Sequence, residues 1–304
     1  MRVLVMGGTR FIGVYLTKIL LAQGHDVTLF NRGNKPAPEG VNLIKGDRKD
    51  IDGLRAQLSG ETFDIVFDNN GRELSDTQPL IEILGDSLQH FVYVSSAGVY
   101  QKTEQPPHRE GDPIDPNSRH KGKFHTEDYL AKAGVPWTSV RPVYIYGPQN
   151  YNPLEAWFFD RIVRNRPLPI PGNGLHITQL GHVQDLAEAM VAIAGNSITH
   201  GKIYNISGER FVTFRGLAQA CAIAANVNPD QLKLVFYNPK AFDFGKQKAF
   251  PIRLQHFLAD VSQARIDLGW EPKFSLVDGL KDSFARDYAP SERQNVKLEF
   301  PRDE

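Results

Sequence analysis

The chain has 304 residues, a formal net charge of +0 at pH 7, and a composition that is 41% hydrophobic and 23% charged, with a single cysteine. These values exclude collagen-like, disordered and disulfide-rich proteins, and the charge balance argues against a surface built wholly to bind nucleic acid. No apolar run approaches the ~20 residues of a membrane-spanning helix and strand-forming residues begin at position 2, so we expect no leader segment, no membrane association, a reducing compartment and one or two domains.

The first hundred residues alternate short apolar runs with stretches whose apolar residues recur at helical spacing. Strands are predicted at 3–6, 27–30, 65–67 and 91–94, and helices at 11–22, 51–58 and 74–88. Runs that are apolar at successive positions are typical of strands buried in a parallel sheet. The alternation therefore predicts right-handed βαβ units and an α/β fold with a doubly wound parallel sheet of the Rossmann type.

The pattern becomes less regular in the second half of the chain. A proline-rich charged loop over 101–116 precedes a helix predicted at about 123–133 and a buried strand predicted at 138–145. Further helices are predicted at 154–165, 183–195, 214–225, 261–269 and 276–288, with loops and short strands between the first three. We therefore predict a Rossmann-type dinucleotide-binding domain over 1–150, to which the chain returns after 175, and a smaller mixed α/β region over 151–304.

The segment MGGTRFIG at 6–13 follows the first predicted strand and opens the first predicted helix, which is the position of a dinucleotide-binding loop. The N–H groups at the start of that helix suit a pyrophosphate. The middle glycine of the usual pattern is Arg10, whose side chain either crowds the pyrophosphate or binds a phosphate. A tight turn without a ligand is the alternative interpretation. The candidate cofactor-binding residues are Gly7, Gly8, Thr9, Arg10, Phe11, Ile12 and Gly13.

The end of the second predicted strand bears on cofactor choice. A site that prefers NAD has a carboxylate there to hold the ribose 2′-hydroxyl, whereas this chain has Asn31 followed by Arg32. Arg32 suits a 2′-phosphate, so NADP is favoured over NAD, and a solvated loop charge is the alternative. Asp47, after the third short strand, is either a contact to the adenine edge or a loop cap.

Five motifs in chain order resemble the extended short-chain dehydrogenase/reductase superfamily of epimerases and dehydratases. They are the glycine loop, SSAGVY at 95–100, RPVYIYGP at 141–148, HVQDLA at 182–187 and LGWEP at 268–272. The resemblance covers almost the whole chain. It implies a Rossmann-type fold and, in itself, little about activity.

Active members of that superfamily use a serine together with a Tyr-x-x-x-Lys pair, in which the lysine charge lowers the pKa of the phenol. Ser96 matches the serine, and Lys123, four residues before Glu127, matches the lysine. The tyrosine position is then Arg119, and an arginine side chain keeps its proton and cannot act as the base.

Substitutes for the missing tyrosine are poorly placed in the sequence, because none of the ten tyrosines has a lysine four residues downstream. His120 and Tyr144 are the alternative bases, although neither has the spacing that couples it to Lys123. Ordinary hydride-transfer epimerase chemistry is therefore not expected. Lys123 itself is either a charge on the helix surface or a residual cofactor contact, and Ser96 is the cap of a strand end if it has no catalytic role.

A narrower resemblance comes from longer segments. They are 6–13, FDNNGRE at 67–73, VRPVYIYGPQNYNPLEAWFFDRI at 140–162 and QLGHVQDLA at 179–187. Together they resemble the chloroplast stem-loop RNA-binding protein family of plants and cyanobacteria. The resemblance implies RNA binding, endoribonuclease activity on stem-loops and association with ribosomal or transcription proteins, but it identifies no catalytic residue for RNA cleavage. The start at Met1 favours a cytoplasmic cyanobacterial protein over a processed protein of the chloroplast stroma.

Cationic stretches with interleaved aromatic residues are the candidate RNA contacts. The first lies beside the predicted cofactor crevice and comprises Arg119, His120, Lys121 and Lys123, with Phe124. The others are Arg161, Arg164 and Arg166, and a stretch in which Lys240, Lys246, Lys248 and Arg253 flank Phe242, Phe244 and Phe250. A solvated surface is the favoured alternative for any one stretch, so RNA binding rests mainly on the resemblance.

No His/Cys cluster has zinc spacing, so no metal site is predicted. Asp64 and Asp68 are interpreted as strand-end charges, and Asp185 and Glu188 as helix-surface charges; Mg²⁺ is needed only if RNA is cleaved. Two functions are kept: an RNA-binding protein, with or without endoribonuclease activity, and an NADP-dependent nucleotide-sugar epimerase, dehydratase or reductase with an unusual base. A purely structural partner protein, whose domain serves as an interaction surface, is a third class. Pairing of the helices at 74–88 and 123–133 into a homo-oligomer is expected from the superfamily resemblance.

Overall fold

The structure of the chain, a computed structural model, describes residues 1–243 and 249–298. Its strands in chain order are β1 (Arg2–Met6), β2 (Asp26–Asn31), β3 (Asn42–Lys45), β4 (Ile65–Asp68), β5 (His90–Val94), β6 (Trp137–Pro142), β7 (Tyr144–Tyr146), β8 (Leu168–Pro171), β9 (Ile177–Thr178), β10 (Leu180–His182), β11 (Lys202–Ile206), β12 (Val212–Thr213) and β13 (Leu234–Tyr237). Its α-helices are α1 (Ile12–Ala22), α2 (Ile51–Leu58), α3 (Leu74–Leu84), α4 (Lys121–Leu130), α5 (Leu154–Ile162), α6 (Val183–Ile193), α7 (Phe214–Ala224), α8 (Ser262–Leu268) and α9 (Leu276–Ser283). Over the described ranges, none of these helices combines the length and apolar character needed to span a bilayer.

A seven-stranded parallel sheet is the centre of the first of two units that the chain forms. The strands lie in the order β11-β6-β5-β4-β1-β2-β3, and every neighbouring pair is parallel. All residues of β4 and β5 are buried, which is why the sequence has unbroken apolar runs there. The doubly wound Rossmann-type sheet predicted from the sequence is confirmed.

The winding direction of this sheet reverses between β1 and β4. The chain proceeds from β1 outwards to β3, returns to β4 on the other side of β1, and continues in the opposite direction. In open α/β sheets, ligands bind beyond the carboxyl ends of the strands at such a reversal. The segments that follow β1 and β4, residues 7–13 and 69–73, are therefore the ones that form the expected site.

One part of the core of the first unit lies between the sheet and the helices α2, α3 and α4. Leu4 and Phe91 of the sheet belong to one buried cluster with Leu54, Leu84 and Leu130 of the helices. Each such side chain contributes about 1.5–3 kcal/mol to folding by leaving water. This packing fixes the loops at the carboxyl edge of the sheet.

The two units alternate along the chain. The first comprises Met1–Val143, Val183–Ser207 and Ala259–Glu271. The second comprises Tyr144–His182 and the described residues of Gly208–Leu258 and Pro272–Glu304. The chain thus returns to the first unit with α6 and β11, and again with α8.

The single strand predicted at 138–145 is wrong. The structure has β6 in the seven-stranded sheet and a separate strand, β7, which pairs with β10 in the second unit. Pro142 is the last residue of β6, and a proline has no N–H with which to continue the ladder. The break at Val143 is also where the chain passes from the first unit to the second.

Two predicted helix ends differ from the structure for local reasons. α1 begins at Ile12 rather than residue 11, because Phe11 has a φ of 42° that a right-handed helix does not allow. α3 ends at Leu84, and Gly85–Ser87 continue as a short 3₁₀ turn. The predicted helix at 74–88 thus merges two elements.

The second unit consists of short strand pairs and an aromatic core. β7 pairs with β10, β9 with β12, and β8 with β13. The rings of Phe158, Phe159, Phe214 and Phe250 pack together with Cys221 in one buried cluster. Burial, assisted by the nearby carboxyl of Glu155, raises the pKa of the Cys221 thiol well above its ordinary value.

Candidate functional site

The loop between β1 and α1 is a turn that requires glycine at two positions. Gly8 has a φ of 94°, and a Cβ there would lie 2.5 Å from the side chain of Leu29. A Cβ at Gly13 would lie 2.6 Å from the Cα and N atoms of Gly8. α1 can therefore approach β1 closely, which brings the start of the helix to the end of the strand as a pyrophosphate-binding loop requires.

Phe11 and Arg10 have opposite environments within this loop. Phe11 is 6% exposed and combines the left-handed φ of 42° with a ψ of −115°, a backbone conformation that costs about 1–3 kcal/mol for a residue with a side chain. Its buried ring holds the loop in this conformation, while the preceding Arg10 is exposed. The Arg10 guanidinium is thus on the solvent side of the loop.

The side-chain amide of Asn31 is used for structure. Its Nδ2 donates to the main-chain oxygen of Gly7 at 3.1 Å, and its Oδ1 accepts from the N–H of Gly33 at 2.8 Å. These bonds tie the turn after β2 to the glycine loop. Arg32, inside that turn, is exposed, and the side chain of Lys45 crosses Gly33 with its Cδ 3.1 Å from where a Cβ would stand. Cations therefore lie where a carboxylate would hold a 2′-hydroxyl.

Asp47 lies exposed after β3, and its Oδ1 accepts from the N–H of Lys49 at 3.0 Å. The contact is that of a loop cap, one of the two roles expected for it. The next residue, Arg48, forms a buried ion pair. Arg48 donates from Nη1 and Nη2 to the two carboxylate oxygens of Asp68 at 2.7 and 2.9 Å.

Asp68 ends β4 and is completely buried. It also accepts from Thr77 Oγ1 at 2.7 Å and from the N–H of Gly71 at 2.9 Å. Burial by itself would raise the pKa of Asp68, but Arg48, Thr77 and the Gly71 N–H outweigh it and hold the pKa below its ordinary value. The sequence interpretation of Asp68 as a strand-end charge missed this buried ion pair, although an acid at the end of an apolar strand was a signal for a buried partner.

The loop after β4 lies against the glycine loop. The side-chain amide of Asn70 is 3.4 Å from where a Cβ of Gly7 would stand, and that of Asn69 is 3.8 Å away. Arg48 also bonds to the amide oxygen of Asn70. The Arg48–Asp68 pair therefore positions the segment that faces the glycine loop at the strand reversal.

The residues at the expected proton-transfer positions make different contacts in the structure. Ser96 follows β5, and its Oγ accepts from the N–H of Gly98 at 3.0 Å, so it caps a short 3₁₀ turn. Arg119 precedes α4, is exposed, and donates from Nε to Nε2 of His120 at 3.0 Å. The structure thus places the guanidinium on the surface before the helix. Tyr144, in the second unit, accepts from the N–H of Arg253 at 3.0 Å.

Lys123 points inwards from the first turn of α4. Its ammonium donates to the main-chain oxygens of Val94 at 2.6 Å and Gly71 at 3.0 Å, and lies 5.2 Å above the ring of Tyr93. Burial lowers the pKa of Lys123 to about 8. The interpretation of Lys123 as a helix-surface charge is therefore wrong, because the side chain bridges the ends of two elements. Burial also raises the pKa of Tyr93, so the phenol closest to Lys123 stays protonated.

Gly122 has a packing role that the sequence did not indicate. A Cβ at this position would overlap the carboxylate of Glu73, which caps α3, and would lie 2.7 Å from the main-chain oxygen of Arg72. α4 therefore begins against the start of α3 only because residue 122 has no side chain. This contact fixes the position of α4 and therefore the position from which the Lys123 side chain reaches the Val94 and Gly71 oxygens.

Two of the superfamily motifs meet in a buried network. Arg141 donates from Nε and Nη2 to Glu127 at 3.0 and 2.6 Å, and its guanidinium lies 4.9 Å from the centre of the Tyr100 ring. Tyr100 donates to the side-chain oxygen of Asn205 at 2.7 Å, and burial raises the pKa of Tyr100 to about 12. These motif residues therefore hold the sheet and α4 together.

The predicted RNA-contact residues have different environments. Arg119 and Lys121 are exposed and His120 is half-buried, whereas the Lys123 ammonium is turned to the Val94 and Gly71 oxygens. The structure thus leaves two cations of this segment fully on the surface.

The remaining basic stretches are mostly engaged inside the second unit. Arg161 is 6% exposed over the ring of Trp157, and Arg164 donates to the main-chain oxygens of Arg293 and Gln294. Arg166 and Arg253 are half-buried, and Phe250 is buried. Lys240 and Phe242 are exposed, while Phe244, Lys246 and Lys248 lie outside the described residues.

No group of three or more His, Cys, Asp or Glu residues within 1–243 and 249–298 is arranged to hold a metal ion. Asp64 accepts from the N–H of Arg2 at 2.7 Å, as a strand-end charge does. Asp185, interpreted from the sequence as a helix-surface charge, is 2% exposed, so that interpretation is wrong. Glu188 is half-buried and accepts from Gln184 at 3.1 Å.

Comparison with known proteins places this geometry among related chains. Residues 3–207 match the NAD dependent epimerase/dehydratase family. The chain is 51% identical over 302 residues to the chloroplast stem-loop binding protein of 41 kDa b of Arabidopsis thaliana, covering 94% of this chain and 79% of that protein. It is 26% identical to a UDP-glucose 4-epimerase of Mycolicibacterium smegmatis, covering 92% and 96% of the two chains.

Solved structures with the same fold include two sugar-nucleotide enzymes. The UDP-glucose 4-epimerase of Thermotoga maritima with UDP-glucose has a TM-score of 0.79 at 21% identity, covering 94% of this chain and 98% of that chain. The dTDP-glucose 4,6-dehydratase of Bacillus anthracis in complex with NAD has a TM-score of 0.77 at 18% identity, covering 96% and 97%. At these identities the likeness shows the fold.

Proposed function

The chain belongs to the NAD dependent epimerase/dehydratase family, as its motifs predicted, and from that premise we propose that it is an RNA-binding protein on an epimerase-like scaffold. The observation that carries RNA binding is the 51% identity, over 94% of the chain, to a protein named for binding stem-loops. Arg119 supports the departure from sugar chemistry, because it occupies the position of the ionising phenol and cannot accept a proton.

The proposal also includes an activity on the bound RNA, protein partners, a place of action and an oligomeric state. We propose cleavage of stem-loop RNA and association with ribosomal or transcription proteins; the described residues form no cluster that would hold a Mg²⁺ ion, so no step of the cleavage is assigned to one. The corresponding place of action is the cytoplasm of a cyanobacterium, or the chloroplast stroma if the chain is a processed plant protein; the Arabidopsis relative is named as chloroplastic. A homodimer through α3 and α4 is part of the same proposal, and the molar mass in solution tests it.

A nicotinamide dinucleotide fits the glycine loop. Gly8 packs on Leu29 and Gly13 packs on Gly8, so α1 begins close to the end of β1, which is the arrangement that a pyrophosphate-binding helix N-terminus needs. Gly7, Thr9, Phe11 and Ile12 complete the loop, and Asp47 stands at the adenine end. When bound, the nicotinamide ring would supply hydride transfer.

We propose NADP rather than NAD for this loop. Arg10 and Arg32 are both exposed at the rim, and Asn31 brings no negative charge and is bonded to Gly7 and Gly33. These cations are suited to hold the 2′-phosphate. Titration with NADPH and NADH would measure the preference directly.

Equilibrium binding to a hairpin RNA across a series of salt concentrations tests the main proposal. Neutralising phosphates with Lys and Arg releases counterions, so we expect the affinity to fall steadily as salt rises. Affinity no better than that of a neutral control protein, without a salt dependence, would contradict RNA binding.

A second candidate function is an NADP-dependent epimerase, dehydratase or reductase of a nucleotide sugar with an unusual base. One observation favours it: burial lowers the pKa of Lys123 to about 8, so part of the amine is neutral and able to accept a proton in mildly alkaline solution. Turnover of a UDP- or dTDP-sugar with NADP would establish this function. Absence of NADP binding at millimolar concentration would exclude it.

A further inference from the structure

The zero net charge of the chain conceals opposite charges on its two units. The ranges of the second unit contain 16 Lys and Arg against 12 Asp and Glu, a formal charge of +4. Those of the first unit contain 19 against 23, a formal charge of −4. Since phosphate contacts dominate the affinity of proteins for nucleic acids, the second unit is the electrostatically favoured one.

The excess positive charge of the second unit comes from one stretch that also carries exposed aromatic rings. Gly208–Leu258 contains seven Lys and Arg against three Asp and Glu. Three phenylalanines are highly exposed in the described part of the chain, and all three lie in this stretch: Phe211, Phe236 and Phe242, at 47%, 49% and 58%. Cations with accessible rings are what single-stranded RNA contacts require.

One of these rings stands next to an arginine. A Cβ at Gly174 would lie 3.0 Å from Cε1 of Phe236 and 3.3 Å from the Cβ of Arg215. The N–H of Arg215 donates to the main-chain oxygen of Gly174 at 3.2 Å, which fixes the start of α7 to this turn. Gly174, with a φ of 73°, therefore lets a ring and an arginine emerge side by side.

The cations around this ring are available to a ligand. Arg215 is exposed and makes no ion pair with any residue that the structure describes. Lys233 directly precedes β13 and Lys240 follows it, and both are exposed. The Lys233 ammonium donates one hydrogen bond to the main-chain oxygen of Asn165 at 3.1 Å, which leaves two of its three N–H groups for a phosphate. Phe242 stands edge-on to Tyr237 with ring centres 6.1 Å apart. β13 therefore has a ring at its centre and cations at both ends.

We propose that β13 and the adjoining start of α7 bind the unpaired nucleotides of an RNA. A base stacks on the ring of Phe236, and Arg215, Lys233 and Lys240 contact the flanking phosphates. This inference rests on the proposed RNA binding and assigns it to the second unit rather than to the basic segment before α4. The flat ring and the separated cations suit single-stranded loops rather than a continuous duplex.

The test compares two variants of the full chain in binding to a hairpin RNA with an unpaired loop. Phe236→Ala removes the stacking surface, and we expect it to weaken binding about tenfold. Phe236→Tyr keeps the ring and should bind as the unaltered chain does. Arg215→Gln should weaken binding and lower the slope of log affinity against log salt by about 0.7, the value for one phosphate contact on a single strand.

Matched controls come from the first unit. Ile266→Ala removes an apolar side chain that is 75% exposed on α8, and Lys18→Gln removes one exposed cation of α1. We expect neither to change the affinity, and thermal melting of each variant verifies its fold. If Phe236→Ala and Arg215→Gln bind like the unaltered chain while Arg119→Gln, in the basic segment before α4, does not, the location is overturned and RNA binding stands. If the unaltered chain itself binds no RNA, both proposals fail.

A duplex without a loop separates the two kinds of RNA. We expect the unaltered chain to bind the duplex more weakly than the hairpin. The affinity for the duplex should be the same for the unaltered chain and for Phe236→Ala. Equal affinity for the duplex and the hairpin, lost in both cases on Phe236→Ala, would refute the assignment to unpaired nucleotides.

Discussion

The guanidinium of Arg48 is enclosed by oxygen atoms from three segments of the chain. It bonds to Asp68 at the end of β4, to the side chain of Asn70, and to the main-chain oxygen of Asp76 in α3 at 2.6 Å. A charge this enclosed depends on its partner, because removing one member of a buried pair leaves the other uncompensated. Removing either residue of the Arg48–Asp68 pair would therefore destabilise the first unit where the glycine loop and the loop after β4 meet.

Asp68→Asn should therefore destabilise the protein by about 3 kcal/mol, since the amide cannot neutralise Arg48. Denaturant unfolding monitored by circular dichroism measures this change. Asp47→Asn is the control, because Asp47 is exposed and we expect its replacement to change the stability by less than about 0.5 kcal/mol. Equal stability of the two variants would show that the Arg48–Asp68 pair does not matter for folding.

Glu155 is the second residue whose charge affects stability. It is 2% exposed, and its Oε1 accepts from the N–H of Gly147 at 3.2 Å. Burial raises the pKa of Glu155 to about 7, against 4.5 as its ordinary value. Between these two pH values the folded chain holds one more proton than the unfolded chain, so stability falls as pH rises through this window, by up to about 1.4 kcal/mol per pH unit.

Glu155→Gln should abolish that dependence because the amide is neutral at every pH. We expect the variant to be the more stable protein at pH 8 by roughly 2 kcal/mol, and to lose most of this advantage at pH 5. Urea midpoints at the two pH values measure the effect, with the exposed Glu292→Gln as the control. A midpoint difference that is the same at both pH values would contradict the assigned role of Glu155.

At the scale of elements, the close approach of α4 to α3 determines the position of the Lys123 side chain. In an ordinary helix interior, alanine is more favourable than glycine by about 1 kcal/mol. At position 122 the methyl group would meet Glu73 and the Arg72 oxygen instead, so the sign of the effect reverses.

Gly122→Ala should therefore destabilise the protein by about 2 kcal/mol, because α4 must move away from α3. Gly111→Ala makes the same chemical change where a Cβ meets nothing within 4 Å, and it should leave the melting temperature almost unchanged. The comparison is made by differential scanning calorimetry. A stabilised Gly122→Ala variant would mean that the two helices are not in contact at this point.

Elements with strong local patterns could be predicted, and those defined by distant partners could not. The inner strands β1, β4 and β5 of the seven-stranded sheet are buried almost throughout, so their apolar runs were visible in the sequence. β8 has four residues of which two are prolines, and β13 has four residues and is partly exposed, so no periodicity identified them. The interruption at Pro142 was visible as a proline, but the change of unit that follows it was not.

The candidate site was predictable to the same extent. The glycine loop was located because its residues are contiguous and follow a strand. Arg48 and Asp68 are 20 residues apart, and Glu127 and Arg141 are 14 apart, so neither contact can be predicted until the strand order is known. The inward direction of Lys123 likewise depends on Val94 and Gly71, which belong to other elements.

At the scale of the whole molecule, a neutral total is compatible with strong local fields. The opposite formal charges of the two units cancel in the sum but not at the surface of either one. The neutral total charge argues that any nucleic-acid site is a local patch, and the charges of the two units indicate that this patch lies in the second unit.

This charge separation predicts that the protein binds heparin near its pI of about 7.1. The double variant Lys233→Glu with Lys240→Glu should elute from a heparin column at clearly lower salt, because both cations flank β13. The pair Lys18→Glu with Lys132→Glu makes the same change of net charge on exposed residues of the first unit and should elute much nearer to the unaltered protein. Identical elution of the two double variants would contradict the prediction.

The burial of Cys221 has a practical consequence. Maleimide reagents attack thiolates, and this thiol is both enclosed and reluctant to ionise, so the folded protein should resist labelling. A cysteine introduced by Ala241→Cys, at an exposed position next to Lys240, would then take up a fluorophore at a single known position. Its emission would report arrival and departure of a hairpin molecule by molecule, so residence times become measurable without modifying the RNA.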